Sequence, residues 1–289
     1  MGHALMETPE YRRLQEGCSA ARATLTFLRE IQYGIQLEGR RGTERVTINL
    51  YRGKKGISVV VQGSPGLAAE LSGPAPEADR PWKRWIGSDE SGKGDYFGPL
   101  VVAAASVDAS RADALVRWGV RDSKELEDPR IATLAARIGA SCPHAVVAIA
   151  PADYNARYRR TPNVNSILGR AHAEAIEETL RKSPEAEAAL ADRFGDESYL
   201  LQSLRGTAKK ITIVQRPKAE SDPAVAAASV LARAGFVRAL DAMSEEFGFE
   251  FPKGAGEEVL RAGRDFVGRF GRNRLAEVAK VHFRTTRQL

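Results

Sequence analysis

Asp89 and Glu90 are adjacent carboxylates in the stretch GSDESGKG, residues 87–94, and their setting decides what chemistry they can do. Gly87, Gly92 and Lys93 follow the phosphate-loop spacing G-x-x-x-x-G-K-[ST] until its last position, where Gly94 replaces the magnesium-binding hydroxyl. Such a loop must open a helix whose amides hold the phosphates. Here it leads into Asp95-Tyr96-Phe97-Gly98-Pro99 and the apolar run Leu100 to Val107, a strand pattern. Two carboxylates approach phosphate only through a cation, and hard oxygen ligands suit Mg2+ or Mn2+. Neighbours on a strand point to opposite faces, so Asp89 suits a shared, bridging ligand and Glu90 a ligand at one side. Taken alone, the pair reads first as a solvated turn.

Other reactive residue types argue mainly by exclusion. His3, His144, His172 and His282 form no H-E-x-x-H spacing, and each reads as structural or surface. Cys18 and Cys142 are far apart and read as packing residues, without a disulfide or thiolate zinc site. A net charge of +6 favours an anionic partner, nucleic acid first. Without an apolar run of about 18 residues or a secretory leader, the expectation is a cytoplasmic protein with no membrane association, and a monomer is expected as well.

The elements that must position these groups fall into two parts. A helix is expected over Tyr11 to Ile31, then strands over Tyr33 to Glu38, Arg45 to Tyr51 and Ile57 to Gln62, joined by basic turns. Val46, Ile48 and Leu50 would share one face. The basic turns suit a phosphate backbone, and equally a solvated surface. Gly63 to Pro81 is rich in Gly, Ser, Pro and Ala and reads as a linker. The expected domains are 1–66, a linker at 67–81, and 82–289. In the last, strands are expected at Trp82 to Ser88, Leu100 to Val107, Ala145 to Ala150 and Lys210 to Val214. Helices are expected at Gly169 to Lys182, Pro223 to Phe247 and Gly256 to Phe270, giving a mixed α/β sheet flanked by helices.

IGSDESGKGDYFGPLVVAA resembles the signature strand-turn-strand of the type 2 ribonucleases H, and its Gly-Lys-Gly turn is similar to the bacterial ribonuclease HIII branch, where ribonuclease HII has Gly-Arg-Gly. Asp122-Ser123-Lys124 resembles the family's D-S-K motif, and Asn163 to His172 its asparagine-containing helix start. Lys218-Ala219-Glu220 with Ala226 to Arg233 resembles its K-A-[DE]…A-A-S-[IV]-[IL]-A-[RK] block. Phe251 to Gly256 and Val281 to Thr286 resemble the HIII C-terminal segment. The resemblance covers essentially all of 82–289, and the N-terminal part is similar in size and pattern to a TATA-binding-protein-like substrate-binding domain.

The resemblance implies a ribonuclease H-like fold and an endonuclease that hydrolyses the RNA strand of RNA/DNA hybrids, leaving 5′-phosphate and 3′-hydroxyl ends. It also implies two divalent ions, Mg2+ or Mn2+, one helping to generate the attacking hydroxide and one stabilising the leaving oxygen. Four catalytic and metal-binding carboxylates carry over: Asp89, Glu90, Asp192 and Glu220. ALADRFGDESYL resembles the family's strand ending in an aspartate, which selects Asp192 with Asp196 the alternative, although the composition of Pro184 to Ala191 alone suits a helix. Asp222 reads instead as the N-cap of a helix with Pro223 in its first turn.

Substrate contacts are expected from Ser91, Gly92, Lys93, Gly94, Tyr96, Asp122, Ser123, Lys124, Asn165, Lys218 and Ser229. The glycines allow backbone to approach a sugar and read its 2′-hydroxyl. Tyr96 fits stacking on sugar or base, and equally a place at the edge of the core. Competing readings are a ribonuclease HII-like cleavage at single ribonucleotides, a non-catalytic nucleic-acid-binding protein, and a P-loop ATPase.

Overall fold

The structure, a computed structural model, describes residues 5–53, 56–72, 82–217 and 219–289. The chain divides into two compact units, Met1–Pro76 and Glu77–Leu289.

In the first unit, α1 spans Pro9–Ala20, with the Thr8 hydroxyl accepting from Tyr11 N at 3.4 Å. The helix does not reach Ile31 as expected. Arg22 takes a left-handed φ of 53°, and the Thr-rich segment that follows forms β1, Thr24–Ile31. β2 (Gly34–Arg41), β3 (Glu44–Gly53) and β4 (Gly56–Gly63) complete an antiparallel sheet in the order β1-β2-β3-β4. The β2–β3 turn is tighter than its composition suggested: Arg41 pairs with Glu44, leaving Gly42 and Thr43 as the loop. Ile35, Leu37, Val46, Ile48 and Leu50 are buried on one face with Leu14, Cys18, Leu67 and Leu71. The last two belong to α2, Pro65–Ser72, so residues 67–72 are helix and not linker. Pro65 suits a first helical turn, and the four-residue spacing of Leu67 and Leu71 holds that turn on the core. The rest of the expected linker, 73–81, lies outside the described residues.

The second unit is built on a five-stranded sheet ordered β7-β6-β5-β8-β9. β5 (Arg84–Ser91), β6 (Leu100–Asp108) and β7 (His144–Ile149) form an antiparallel run. β8 (Ala188–Asp192) and β9 (Thr212–Arg216) lie parallel to β5. The remaining helices are α3 (Ala109–Arg117), α4 (Asp128–Ser141), α5 (Pro151–Arg160), α6 (Val164–Lys182), α7 (Pro223–Phe247) and α8 (Glu257–Phe270). Two apolar clusters fill the two sides of the sheet, one containing residues of α7 and α8, the other residues of α6. By length and composition α7 matches a bilayer span, yet it is mostly buried against the domain's own core.

β8 is a strand despite its alanine-rich sequence. Between β5 and β9 both its faces are covered, and small side chains fit where backbone pairing sets the conformation. Gly87 has a similar cause. A Cβ there would lie 2.1 Å from the Ala224 carbonyl carbon, so glycine lets the first turn of α7 cross β5 in direct contact. The resemblance to a phosphate loop thus arises from helix packing at its first glycine.

Candidate active site

Alternation along β5 sends Asp89 and Glu90 to opposite faces. Asp89 is 8% exposed and shares α7's side of the sheet, where Ser229 hydrogen-bonds its carboxylate. Its Oδ1 also accepts from Glu90 N at 2.8 Å. Burial first, then the charges of Glu90 and Asp192, push its pKa up to about 7 against the stabilising bonds.

Glu90 meets a cationic partner and a histidine. Lys93 Nζ is 3.3 Å from Oε1, and His172 Nε2 is 3.2 Å from Oε2. Burial alone would raise its pKa, but these two neighbours outweigh burial and hold it below the usual value. His172 is fully buried, stacked on Phe194 with ring centroids 4.6 Å apart, and its Nδ1 lies 2.7 Å from Ser88 Oγ. Sequence reasoning placed His172 among structural or surface histidines. The signal for its role was its position four residues after Leu168 and four before Ile176, on the buried stripe of α6.

Asp192 ends β8, next to β5, and its Oδ1 accepts from Ala219 N at 3.0 Å. That bond ties it to the short 3-10 turn Ala219–Ser221, which carries Glu220. Burial raises the Glu220 pKa, reinforced by Asp192 and Asp122, and its buried Oε2 accepts no hydrogen bond among the described residues. Lys124 reports on three of the four carboxylates. Burial disfavours its ammonium, yet Asp122, Asp89, Glu220 and Asp192 together raise its pKa.

The D-S-K segment is seated from below. Asp122 caps the 3-10 turn Ser123–Glu125, and Ser123 Oγ meets Ser229 Oγ at 2.9 Å, so one serine pair joins this turn to α7 beside Asp89. The structure therefore brings Asp89, Glu90, Asp192, Glu220, Asp122, Ser123, Lys124 and Ser229 into one neighbourhood. Asp222 is spent elsewhere: its Oδ1 accepts from Ala224 N at 2.8 Å as helix cap and from Trp85 Nε1 at 2.9 Å. Asp196 is exposed and accepts from Ser198 N, away from the set.

Asn165 lies in the first turn of α6, whose N-cap is Asn163, and packs so closely on Gly195 that a Cβ there would meet its Nδ2 at 2.7 Å. Ser91 ends β5 and Gly92 opens the turn after it. Gly92 takes a φ of 86°, and a Cβ on it would lie 2.3 Å from Pro99 O, whereas nothing stands within 4 Å of a Cβ on Gly94. Tyr96 is not available for stacking. Its ring is fully buried and its hydroxyl lies 3.0 Å from Thr286 Oγ1, because the chain after the turn dives beneath the C-terminal segment. Lys218 lies outside the described residues.

Among the described residues, no three His, Cys, Asp or Glu side chains close around a single point. The donor set nevertheless fits divalent cations that keep several waters and take only one or two carboxylates each, completing their shells with substrate phosphate. The partnerless Glu220 oxygen and the raised pKa of Asp89 are the local marks of negative charge awaiting compensation.

A family model described as Ribonuclease HII matches residues 86–286. Ribonuclease HIII of Protochlamydia amoebophila is 40% identical over 200 residues, 69% of this chain and 66% of that protein. Ribonuclease HIII of Exiguobacterium sibiricum is 37% identical over 247 residues, 83% of this chain and 80% of that protein. The crystal structure of Bst-RNase HIII in complex with Mn2+ superposes with a TM-score of 0.68 and 31% identity, covering 96% of this chain and 95% of that one. On these matches and this fold, the chain belongs to the ribonuclease HII family of type 2 ribonucleases H, on its ribonuclease HIII branch, and is a metal-dependent endoribonuclease.

Proposed function

We propose that the protein hydrolyses the RNA strand of RNA/DNA hybrids, leaving 5′-phosphate and 3′-hydroxyl ends, with Asp89, Glu90, Asp192 and Glu220 as its catalytic and metal-binding carboxylates. The observation that carries this reading is the shared electrostatics of the set: the charges of Asp89, Asp192 and Glu220 all act on Lys124, and Glu90 acts on Asp89. When bound, two Mg2+ or Mn2+ ions supply charge neutralisation, water activation and stabilisation of the leaving oxygen. Asp89, the buried one of the four, would be the ligand common to both ions. Glu90 is oriented by His172, while the Ala219 amide fixes one oxygen of Asp192. Lys124, 79% exposed at the side chain, can reach a phosphate without leaving the neighbourhood of the carboxylates.

The turn Gly92-Lys93-Gly94 reads the sugar: the open space around Gly94 lets backbone approach the 2′-hydroxyl that distinguishes RNA from DNA. The N-terminal unit, 1–66 with α2 completing it, contributes hybrid binding through the sheet face opposite its helices. There Arg29, Gln36 and Asn49 form a hydrogen-bonded row, Arg29 Nε to Gln36 Oε1 and Gln36 Nε2 to Asn49 Oδ1, each 3.0 Å. The protein acts as a cytoplasmic monomer.

The test is cleavage of matched RNA/DNA, RNA/RNA and DNA/DNA duplexes and of a duplex with a single ribonucleotide, with Mg2+ or Mn2+. Cleavage restricted to the long hybrid and lost in Asp89→Asn with hybrid binding retained is expected. Preference for the single ribonucleotide would move the protein to a ribonuclease HII-like specificity, and binding without cleavage would make it a non-catalytic binder.

A further inference from the structure

The turn between β5 and β6 is closed by residues from far along the chain. Tyr96 N donates to Gly254 O at 2.8 Å, and Gly254 N returns a bond to Asp95 Oδ1 at 2.6 Å. On the other side Gly98 N donates to Val278 O at 2.9 Å, Lys280 N to Tyr96 O at 2.9 Å, and Phe97 bridges Ala279. Lys280 completes this grip with its side chain. Its Nζ donates to Asp95 O at 2.9 Å and to Gly98 O at 2.7 Å.

Lys280 is fully buried, a costly place for an amine, and the two carbonyls it bonds offset part of that cost. Burial lowers its pKa to about 7, with Asp95 opposing the shift. Even the neutral amine keeps two N–H bonds, enough for both carbonyls. The segment carrying Lys280 is itself fastened. Asn155 of α5, 5% exposed, donates from Nδ2 to Ala276 O at 3.1 Å and Ala279 O at 2.8 Å, and its Oδ1 accepts from Val281 N at 3.1 Å. Among the described residues neither Lys280 nor Asn155 hydrogen-bonds any of the four carboxylates.

We propose that Lys280, on a C-terminal strap pinned to α5 by Asn155, is a positioning residue that sets the Gly92–Gly94 turn at the height where it meets the RNA sugar. The inference rests on the reading of that turn as the 2′-hydroxyl sensor. Misplacing a recognition element by about 1 Å while leaving the reacting groups intact costs substrate binding, with effects up to ~100-fold.

Steady-state cleavage of a long hybrid by the full chain with Mn2+ tests it. Lys280→Met is expected to raise KM about ten-fold, with kcat and the half-activating Mn2+ concentration little changed. Asn155→Asp, which turns two donors into acceptors, should move KM in the same direction, and the double variant should be no worse than the more severe single one. If Lys280→Met does not fold, Asn155→Asp alone must raise KM. Gly94→Ala tests the underlying reading separately, since its methyl meets nothing in the free protein and should raise KM only by touching substrate. A silent Gly94→Ala overturns the turn as sensor, and the strap's proposed purpose with it. A raised KM in Gly94→Ala with unchanged KM in folded Lys280→Met and Asn155→Asp overturns the strap alone, as does a loss confined to kcat.

Discussion

His172 Nε2 stands 3.2 Å from Glu90 Oε2 while its Nδ1 stands 2.7 Å from Ser88 Oγ. Ser88 has one proton to give. Donating it to the Ala103 carbonyl, 3.0 Å away, would leave a neutral ring with a bare Nε2 against the carboxylate. Donation to Nδ1 leaves the proton on Nε2, so of the two neutral tautomers it is the one that gives Glu90 a donor. His172→Ala is expected to raise the Mn2+ concentration needed for half-maximal cleavage by roughly 10- to 100-fold, as removal of a ligand's hydrogen-bond partner does elsewhere. An unchanged Mn2+ titration would show that Glu90 is held without it.

Two buried ionisable groups act on stability in different pH windows. Asp89, with its folded pKa raised to about 7, holds its proton while the unfolded chain releases one above about 4, so metal-free protein loses stability as pH rises through that interval. Lys280, with its folded pKa lowered to about 7, acts from about 10 downward: stability is lost as pH falls toward 7 and then levels off. Each effect is on the order of a few kcal/mol. Thermal melts against pH should lose the lower limb in Asp89→Asn and the upper limb in Lys280→Met; identical profiles in wild type and variants would contradict both assignments.

Gly87 and Gly94 lie seven positions apart and predict opposite tolerance. Gly87→Ala forces a methyl into the backbone of α7 and should cost at least ~1–3 kcal/mol in denaturant unfolding, whereas Gly94→Ala should unfold at the wild-type midpoint. Equal midpoints for both would mean α7 does not press on β5 as described.

Glu220 and Asp222 separate site from scaffold. Asp222→Asn keeps an oxygen for the helix cap and for Trp85 Nε1, and should retain cleavage and stability to within ~1 kcal/mol. Glu220→Gln should lose most cleavage while folding normally. Cleavage lost in Asp222→Asn and kept in Glu220→Gln would reverse the assignment of the two carboxylates.

Much of this was legible along the chain because it is local. The alternation of Val46, Ile48 and Leu50, the Asp222-Pro223 helix start and the strand-turn-strand around Asp89 each depend on a few neighbours. What was missed depends on packing. The helix expected to run on to Ile31 ends early because pairing with β2 makes TLTFLREI a strand, and the Gly- and Pro-rich composition hid the two leucines that dock α2. Tyr96 was open to two readings until the C-terminal segment covered its ring. The motifs that placed Asp192 on a strand ran against its local propensity, and the sheet shows why: β8 is conformed by its two neighbours and not by its own alanines.

The strap also orders events in time. Lys280 is joined to Asp95 across 185 positions of sequence, so during synthesis the carboxylate-bearing strands exist long before the residue that closes the turn beside them. Closing the turn is thus a contact of very long sequence separation, the kind whose loop-closure entropy makes it slow to form.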